Sequence, residues 1–133
     1  MHEIKKDFPN LEIILNGGIQ TIEEAQSHLD KVDGVMIGRS AYETPYIMAE
    51  ADRLIYGDDT PVTSRHEAIE KFMPYVEDQM TKDVYVRHMA KHLFGLFQGI
   101  RGAKAWRRYL GENMFQPNAN STVITEAIKY IER

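Results

Sequence analysis

The sequence predicts an α/β segment followed by an all-α segment, with the boundary near residue 60. Three observations predict it. Two short apolar runs, Leu11–Asn16 and Gly34–Gly38, each end in glycine and flank a helical stretch, the pattern of a β–α–β unit with parallel strands. A run of turn formers, Gly57-Asp58-Asp59-Thr60-Pro61, follows. From Ser64 onward the apolar spacing is helical throughout.

The elements follow in order. Leu11-Glu12-Ile13-Ile14-Leu15-Asn16 stops at Gly17-Gly18, a buried strand closed by a tight turn. Thr21 with Glu24 three residues on is a capping box that starts a helix, whose apolar face continues through Ala25 and Leu29 to about Lys31. Asp33-Gly34 is a turn, and Gly34–Gly38 the second strand. Thr44-Pro45 opens another helix towards Tyr56, with proline at its first position. Ser64 and Glu67 form a second capping box. Helices are expected over 65–80 with a bend at Pro74, over 84–97, over 103–110, and from Asn120-Ser121 to near Ile131.

Two strands are too few for a free-standing sheet, and a parallel pair needs both faces covered. Residues 1–60 are therefore expected to be the end of a larger α/β domain. The short basic stretch before the first strand agrees with a chain that starts late. Open sheet edges leave that part free to associate with another copy or to stay partly disordered. Residues 61–133 carry their own caps and apolar stripes, as expected of a helical domain that folds alone.

Composition sets outer bounds. At 43% hydrophobic and 27% charged over 133 residues, the chain can build an ordinary core. Its apolar runs are too short to span a bilayer, and Met1–Asp7 has no apolar h-region, so neither a membrane span nor a secretory signal is expected. Cysteine is absent, which removes disulfides and cysteine metal motifs and makes a reducing, cytoplasmic setting the expectation. The net charge of −4 is unevenly spread. Six of the 16 Lys/Arg lie between Val84 and Gly111 with no Asp or Glu among them, and the other ten face all 20 acidic residues. Phosphate-binding surfaces need local, not total, positive charge. A solvated helix face is the plain alternative.

Chemistry is expected first at the strand ends. In parallel α/β folds ligands bind beyond the carboxyl ends of strands, and in (β/α)₈ barrels the loops after the last two strands commonly hold a phosphate. Asn16-Gly17-Gly18 and Gly38-Arg39 occupy those ends. Glycine lets backbone N–H groups approach phosphate oxygens, and Arg39 adds a permanently charged fork. The alternative is that the glycines only satisfy tight turns. His88 and His92 share the i, i+4 spacing of two zinc ligands, but Met89 stands where the general-base Glu would be and no third ligand is evident, so no metal is expected.

Leu15-Asn16-Gly17-Gly18-Ile19, then Asp33-Gly34-Val35-Met36-Ile37-Gly38-Arg39, with Ala41-Tyr42 and Pro45 beyond, resembles the last two barrel strands of the tRNA-dihydrouridine synthases. The run from His88 to Ile100 continuing through Arg101-Gly102-Ala103-Lys104-Ala105-Trp106-Arg107-Arg108-Tyr109-Leu110 is similar to the C-terminal helical domain of that family's A subfamily. The resemblance covers essentially the whole chain from about Phe8. It implies the last two βα units of a flavin-binding TIM barrel plus a helical bundle. It implies FMN as cofactor, with Asn16, Gly17, Gly18, Gly38 and Arg39 as the residues of its phosphate site. It implies reduction of a D-loop uridine of tRNA to dihydrouridine, with NADPH reducing the flavin and a barrel-loop cysteine donating a proton. This chain has no cysteine, so no catalytic residue is assigned to it, and alone it is expected to be inactive and to hold FMN weakly or not at all.

For the tRNA partner, the candidate residues are Arg87, Lys91, Arg101, Lys104, Arg107 and Arg108. Arg101, Lys104 and Arg108 share a face if the turn runs on into the helix, and Arg87 and Lys91 lie one turn apart. Met89, Leu93, Leu96, Phe97 and Ile100 form the apolar stripe. Trp106 and Tyr109 are either core anchors or platforms for splayed bases. Two rival readings stay open. One is an RNA-binding module without catalysis. The other is a relative of another flavin barrel, such as dihydroorotate dehydrogenase, for which the basic tail would have no use.

Overall fold

A computed structural model describes residues 2–131. The chain divides into two compact units between Val62 and Thr63.

The first unit runs α1 (His2–Asp7), β1 (Ile14–Asn16), α2 (Ile22–His28), β2 (Gly34–Met36), α3 (Arg39–Glu43), a 3₁₀ turn (Pro45–Glu50) and α4 (Ala51–Tyr56). The strands pair in parallel, Ile14 with Gly34, Leu15 with Val35 and Asn16 with Met36. Helix α2 is the crossover between them. Its cap is the expected one: the Thr21 hydroxyl accepts from the Glu24 amide at 3.0 Å, while the Glu24 carboxylate accepts from the Gln20 amide at 3.0 Å, one residue earlier than a standard box. Ile19, Ile22, Ala25 and Val32 make a small core. Ile14 and Met36, on the two strands, stay 54% and 52% exposed.

The basic stretch before β1, given no element from sequence, is helix α1. Lys5 explains its place. Its ammonium donates to the carbonyls of Pro9 (3.1 Å) and Leu11 (2.7 Å) and pairs with Asp33 at 2.6 Å. Asp33 in turn accepts from the Ile13 amide at 2.8 Å. One lysine and one aspartate thus lock the entry of β1 to the entry of β2, and these contacts hold the Asp33 carboxyl below its ordinary range.

The single helix expected from Thr44 to Tyr56 is instead two pieces, a 3₁₀ turn and α4, and a separate short helix precedes it. Helix α3 begins directly after Gly38. Thr44, at φ −137°, breaks it, because the residue before a proline is pushed out of the helical region. The chain resumes as a 3₁₀ turn from Pro45, then α4, which ends at Gly57 in the left-handed region (φ 66°).

The second unit runs α5 (Arg65–Thr81), α6 (Arg87–Ala90), a 3₁₀ turn (Lys91–Leu93), α7 (Ala103–Asn113), α8 (Thr122–Ala127) and a last 3₁₀ turn (Ile128–Tyr130). The Ser64–Glu67 capping box is complete: Ser64 Oγ accepts from the Glu67 amide (3.1 Å) and the Glu67 carboxylate from the Ser64 amide (2.8 Å). Helix α5 continues through Pro74 to Thr81. Trp106, Phe97, Leu110, Ile124, Val76 and Val86 are all fully buried and form the centre of the core.

The helix expected over 84–97 does not form as one piece. After α6 and its 3₁₀ turn, residues 94–99 run through successive turns to Gly99 at φ 80°. Two tertiary bonds also reach carbonyls of this stretch. Trp106 Nε1 donates to the Leu93 carbonyl (3.2 Å) and Arg65 Nε to that of Leu96 (2.9 Å). The apolar stripe is still buried at Met89, Leu96 and Phe97, with turns rather than a helix face delivering it.

Candidate functional site

The two glycine-bearing strand ends meet. Asn16, Gly17 and Gly18 after β1, and Gly38 and Arg39 after β2, line one open cleft of ≈ 450 Å³ together with Ile19, Gln20, Met36, Ser40 and Glu43. The parallel register places them so, because Asn16 lies beside Met36 and both strands finish on the same edge. All five residues expected to hold a phosphate are therefore brought together.

The local geometry separates two roles for glycine. Gly17 (φ 131°) and Gly18 (φ 70°) need the backbone freedom of glycine, so the turn alone accounts for them. Gly38 sits at φ −98°, and an added Cβ there would meet no atom within 4 Å. Neither a left-handed backbone nor crowding within the described residues requires a glycine there, and the missing side chain leaves the backbone open to the cleft. The amides of Gly18 and Gly38 donate to no backbone carbonyl among the described residues outside the helix and strand bonds. With the Arg39 guanidinium beside them, they form a donor-rich concavity suited to an anion.

Three polar members of the cleft went unnoticed in the sequence: Gln20, Ser40 and Glu43. Ser40 and Glu43 lie on α3, one turn apart. Their signal was available only by starting a helix at Gly38 rather than at Pro45. Glu43 adds a negative charge to the cleft, so the cleft is not uniformly cationic.

The basic residues of the second unit are less uniform than their spacing suggests. Arg101 precedes α7 in a turn, and Gly102 at φ 91° breaks the geometry between it and the helix, so the expected face of Arg101, Lys104 and Arg108 is not one helical stripe. Lys104 and Arg108 do lie one turn apart on α7, both exposed. Glu112, just beyond the acid-free stretch, reaches back to Arg108 at 3.0 Å and raises the guanidinium's already high pKa. Arg107 donates to the Gln98 side chain at 3.3 Å. Arg87 stacks over the Tyr85 ring at 4.1 Å, and Lys91 is exposed on the following turn.

The two aromatic candidates separate. Trp106 is fully buried, edge-on to Phe97 at 4.8 Å, and is a core anchor that no base can reach. Tyr109 is half-buried against Tyr130 at 5.6 Å. His88 and His92 are both exposed. Among the described residues no group of three or more His, Cys, Asp or Glu is placed to hold a metal ion, and no helix is long and apolar enough to cross a membrane.

A parallel β–α–β unit with a glycine-lined cleft at its strand ends, followed by a compact helical unit, defines the class: an α/β unit with a helical appendage. The family model for dihydrouridine synthase (Dus) matches residues 1–132, and the chain belongs to that family. It is 45% identical over 130 residues to a tRNA-dihydrouridine(20/20a) synthase of Vibrio cholerae, covering 98% of this chain and 40% of the relative. It is 44% identical over 131 residues to the protein of that name from Salmonella typhi (98% and 40%), and 41% identical over 131 residues to that from Haemophilus ducreyi (98% and 41%). The chain thus spans about 40% of the length of the curated relatives it matches.

Proposed function

We propose that this chain supplies the C-terminal share of an FMN-dependent tRNA-dihydrouridine synthase. In that enzyme, uridine at positions 20 and 20a of the tRNA D-loop is reduced to 5,6-dihydrouridine, with NADPH as the reductant. Residues 1–60 are the last two βα units of its TIM barrel, and residues 61–133 its helical tRNA-binding domain. One observation carries the reading: Asn16, Gly17, Gly18, Gly38 and Arg39 converge on a single cleft in a chain of the dihydrouridine synthase family.

The residues present fit the phosphate end of a flavin mononucleotide. The amides of Gly18 and Gly38 supply donors at the cleft, Arg39 a fork for two phosphate oxygens, and Ser40 a hydroxyl. Bound there, the flavin would supply hydride to the pyrimidine ring. What this chain's own residues do is hold and orient the cofactor's anionic tail. The proton donor lies elsewhere, since the chain has no cysteine. Lys91, Lys104, Arg87, Arg101, Arg107 and Arg108 bind the RNA backbone, which positions the tRNA without reading its sequence. The setting is cytoplasmic.

The chain by itself reduces no uridine and retains little FMN, because a phosphate clamp alone leaves the isoalloxazine ring without a pocket. Visible absorbance of the purified chain tests this. A protein that purifies yellow with stoichiometric FMN overturns it. For the RNA half, reversing the charges of Arg101, Lys104, Arg107 and Arg108 together lowers tRNA affinity with the fold intact; unchanged affinity removes these residues from the interface.

A further inference from the structure

We propose that a second, smaller pocket in the helical unit takes one unpaired nucleobase of the RNA partner, stacked on Tyr85. The proposal rests on the tRNA-binding reading above and deepens it. The chain ahead of α6 and the chain beyond α7 enclose ≈ 290 Å³, lined by Tyr85, Val86, Arg87, Met114, Gln116 and Pro117. That is slightly below the ~300–1,000 Å³ of sites for drug-sized ligands, and suits a single flat ring.

The construction of the pocket favours a nucleotide. Tyr85 is 60% exposed, so much of its ring is open to solvent. The Arg87 guanidinium lies 4.1 Å from its centroid and covers one face. The remaining exposure leaves the ring accessible to a second flat group. A stacked guanidinium keeps its N–H edge available, so Arg87 can meet a phosphate while it holds the ring. Val86 and Met114, 1% and 4% exposed, anchor both walls in the core, so the pocket is carried on fixed backbone. The lining bears one positive charge and no carboxylate, and Lys91 follows Arg87 by one turn. An aromatic platform beside cations is how proteins hold unpaired bases without sequence preference. The same lining offers a peptide's backbone amides few acceptors: the Tyr85 hydroxyl, one glutamine side chain and the local main chain.

The test uses the 133-residue chain and a tRNA transcript containing 4-thiouridine. Irradiation is expected to crosslink the RNA to Tyr85; crosslinks confined to other residues overturn the proposal. In binding titrations Y85A is expected to weaken affinity at least roughly fivefold, the lower bound for losing one stacked base. Y85F is expected to restore it, and the dependence on salt to stay unchanged, because every phosphate neighbour is retained. Thermal melting of Y85A checks that the exposed substitution leaves the fold intact. If Y85A binds as the wild type while the charge-reversal variant loses affinity, the pocket is unused and the tRNA reading stands. If the wild-type chain binds no tRNA, both fall.

Discussion

Gly102 abuts the backbone carbonyl of Tyr130 so closely that a single methyl group would overlap it, with the Ile131 Cα only 3.3 Å from the same point. The last 3₁₀ turn thus packs directly on the residue that caps α7, and the contact is backbone against backbone, with no flexible side chain to yield. Gly102 also holds φ 91°. G102A therefore combines left-handed strain of about 1–2 kcal/mol with overpacking of about 1–3 kcal/mol. Urea unfolding monitored by circular dichroism is expected to show the sum. A loss under about 1 kcal/mol would mean that the two backbones can separate cheaply.

Trp106 gives a direct report on the same core. It is the single tryptophan, fully buried, with its indole N–H on the Leu93 carbonyl. W106A is expected to cost about 3–5 kcal/mol. Wild-type tryptophan emission is expected to be that of a buried indole and to stay unmoved when tRNA is added. A tRNA-dependent shift with no change in fold would return Trp106 to the RNA interface.

How much of this was legible depended on whether the signal was local. The caps at Thr21 and Ser64, the parallel strands, and the strand-end cleft all follow from short-range chemistry: an oxygen three residues from an amide, a β-branched run, a glycine at a strand end. The helix expected over 84–97 gives way to turns in a stretch whose Leu93 and Leu96 carbonyls also accept from Trp106 and Arg65, partners distant in sequence that local periodicity does not reveal. Helix α1 was missed because its six residues bury nothing, and Lys5 acts through Asp33, 28 positions away. The acid-free stretch from Val84 to Gly111 ends one residue short of Glu112, which is why Arg108 looked unpaired in the sequence.

The capping box of α5 predicts a sign for pH. The Ser64 amide holds the Glu67 carboxyl below its ordinary value. A group depressed in the folded state contributes stability that is whole above its unfolded pKa, ~4.3 for glutamate, and that is lost as pH falls through the lower folded value. The melting-temperature gap between wild type and E67A is therefore expected to be present at neutral pH and to close in acid, below the ordinary glutamate range. S64A removes the other half of the box and is expected to cost about 0.5–2 kcal/mol. A gap for E67A that stays constant into strong acid would show that its carboxylate is not the capping group.

The cleft allows a test that needs no turnover. Inorganic phosphate added to ¹⁵N-labelled chain is expected to move the amide resonances of Gly17, Gly18, Gly38 and Ser40 together, since these line one space. R39A is expected to weaken that response, and E43Q to strengthen it by removing the opposing charge from the same cleft. G38A is expected to leave stability nearly unchanged, because its Cβ would meet nothing, yet to reduce the response by crowding the approach. Equal responses in wild type and R39A would remove the arginine from the anion site.

Glu112 predicts the last asymmetry. It pairs with Arg108 on the exposed face of α7, whereas Lys104, one turn earlier, has no ion-pair partner among the described residues. To meet a phosphate, Arg108 must either share its guanidinium with Glu112 or leave it, and in both cases the carboxylate sits near the RNA backbone. An exposed pair of this kind is itself weak, worth ~0.2–1 kcal/mol, so breaking it costs little; the larger effect is repulsion of the polyanion. E112Q is therefore expected to raise tRNA affinity at low salt without destabilising the helix. K104A is expected to cost more affinity than R108A. For every phosphate that a substitution leaves without its cation, the slope of log affinity against log salt should fall in magnitude by roughly 0.7–0.9. Filter-binding titrations across a salt series read all three. If E112Q binds no better than the wild type, and R108A loses as much as K104A, the pair does not restrain Arg108 and both cations stand equally open to the RNA.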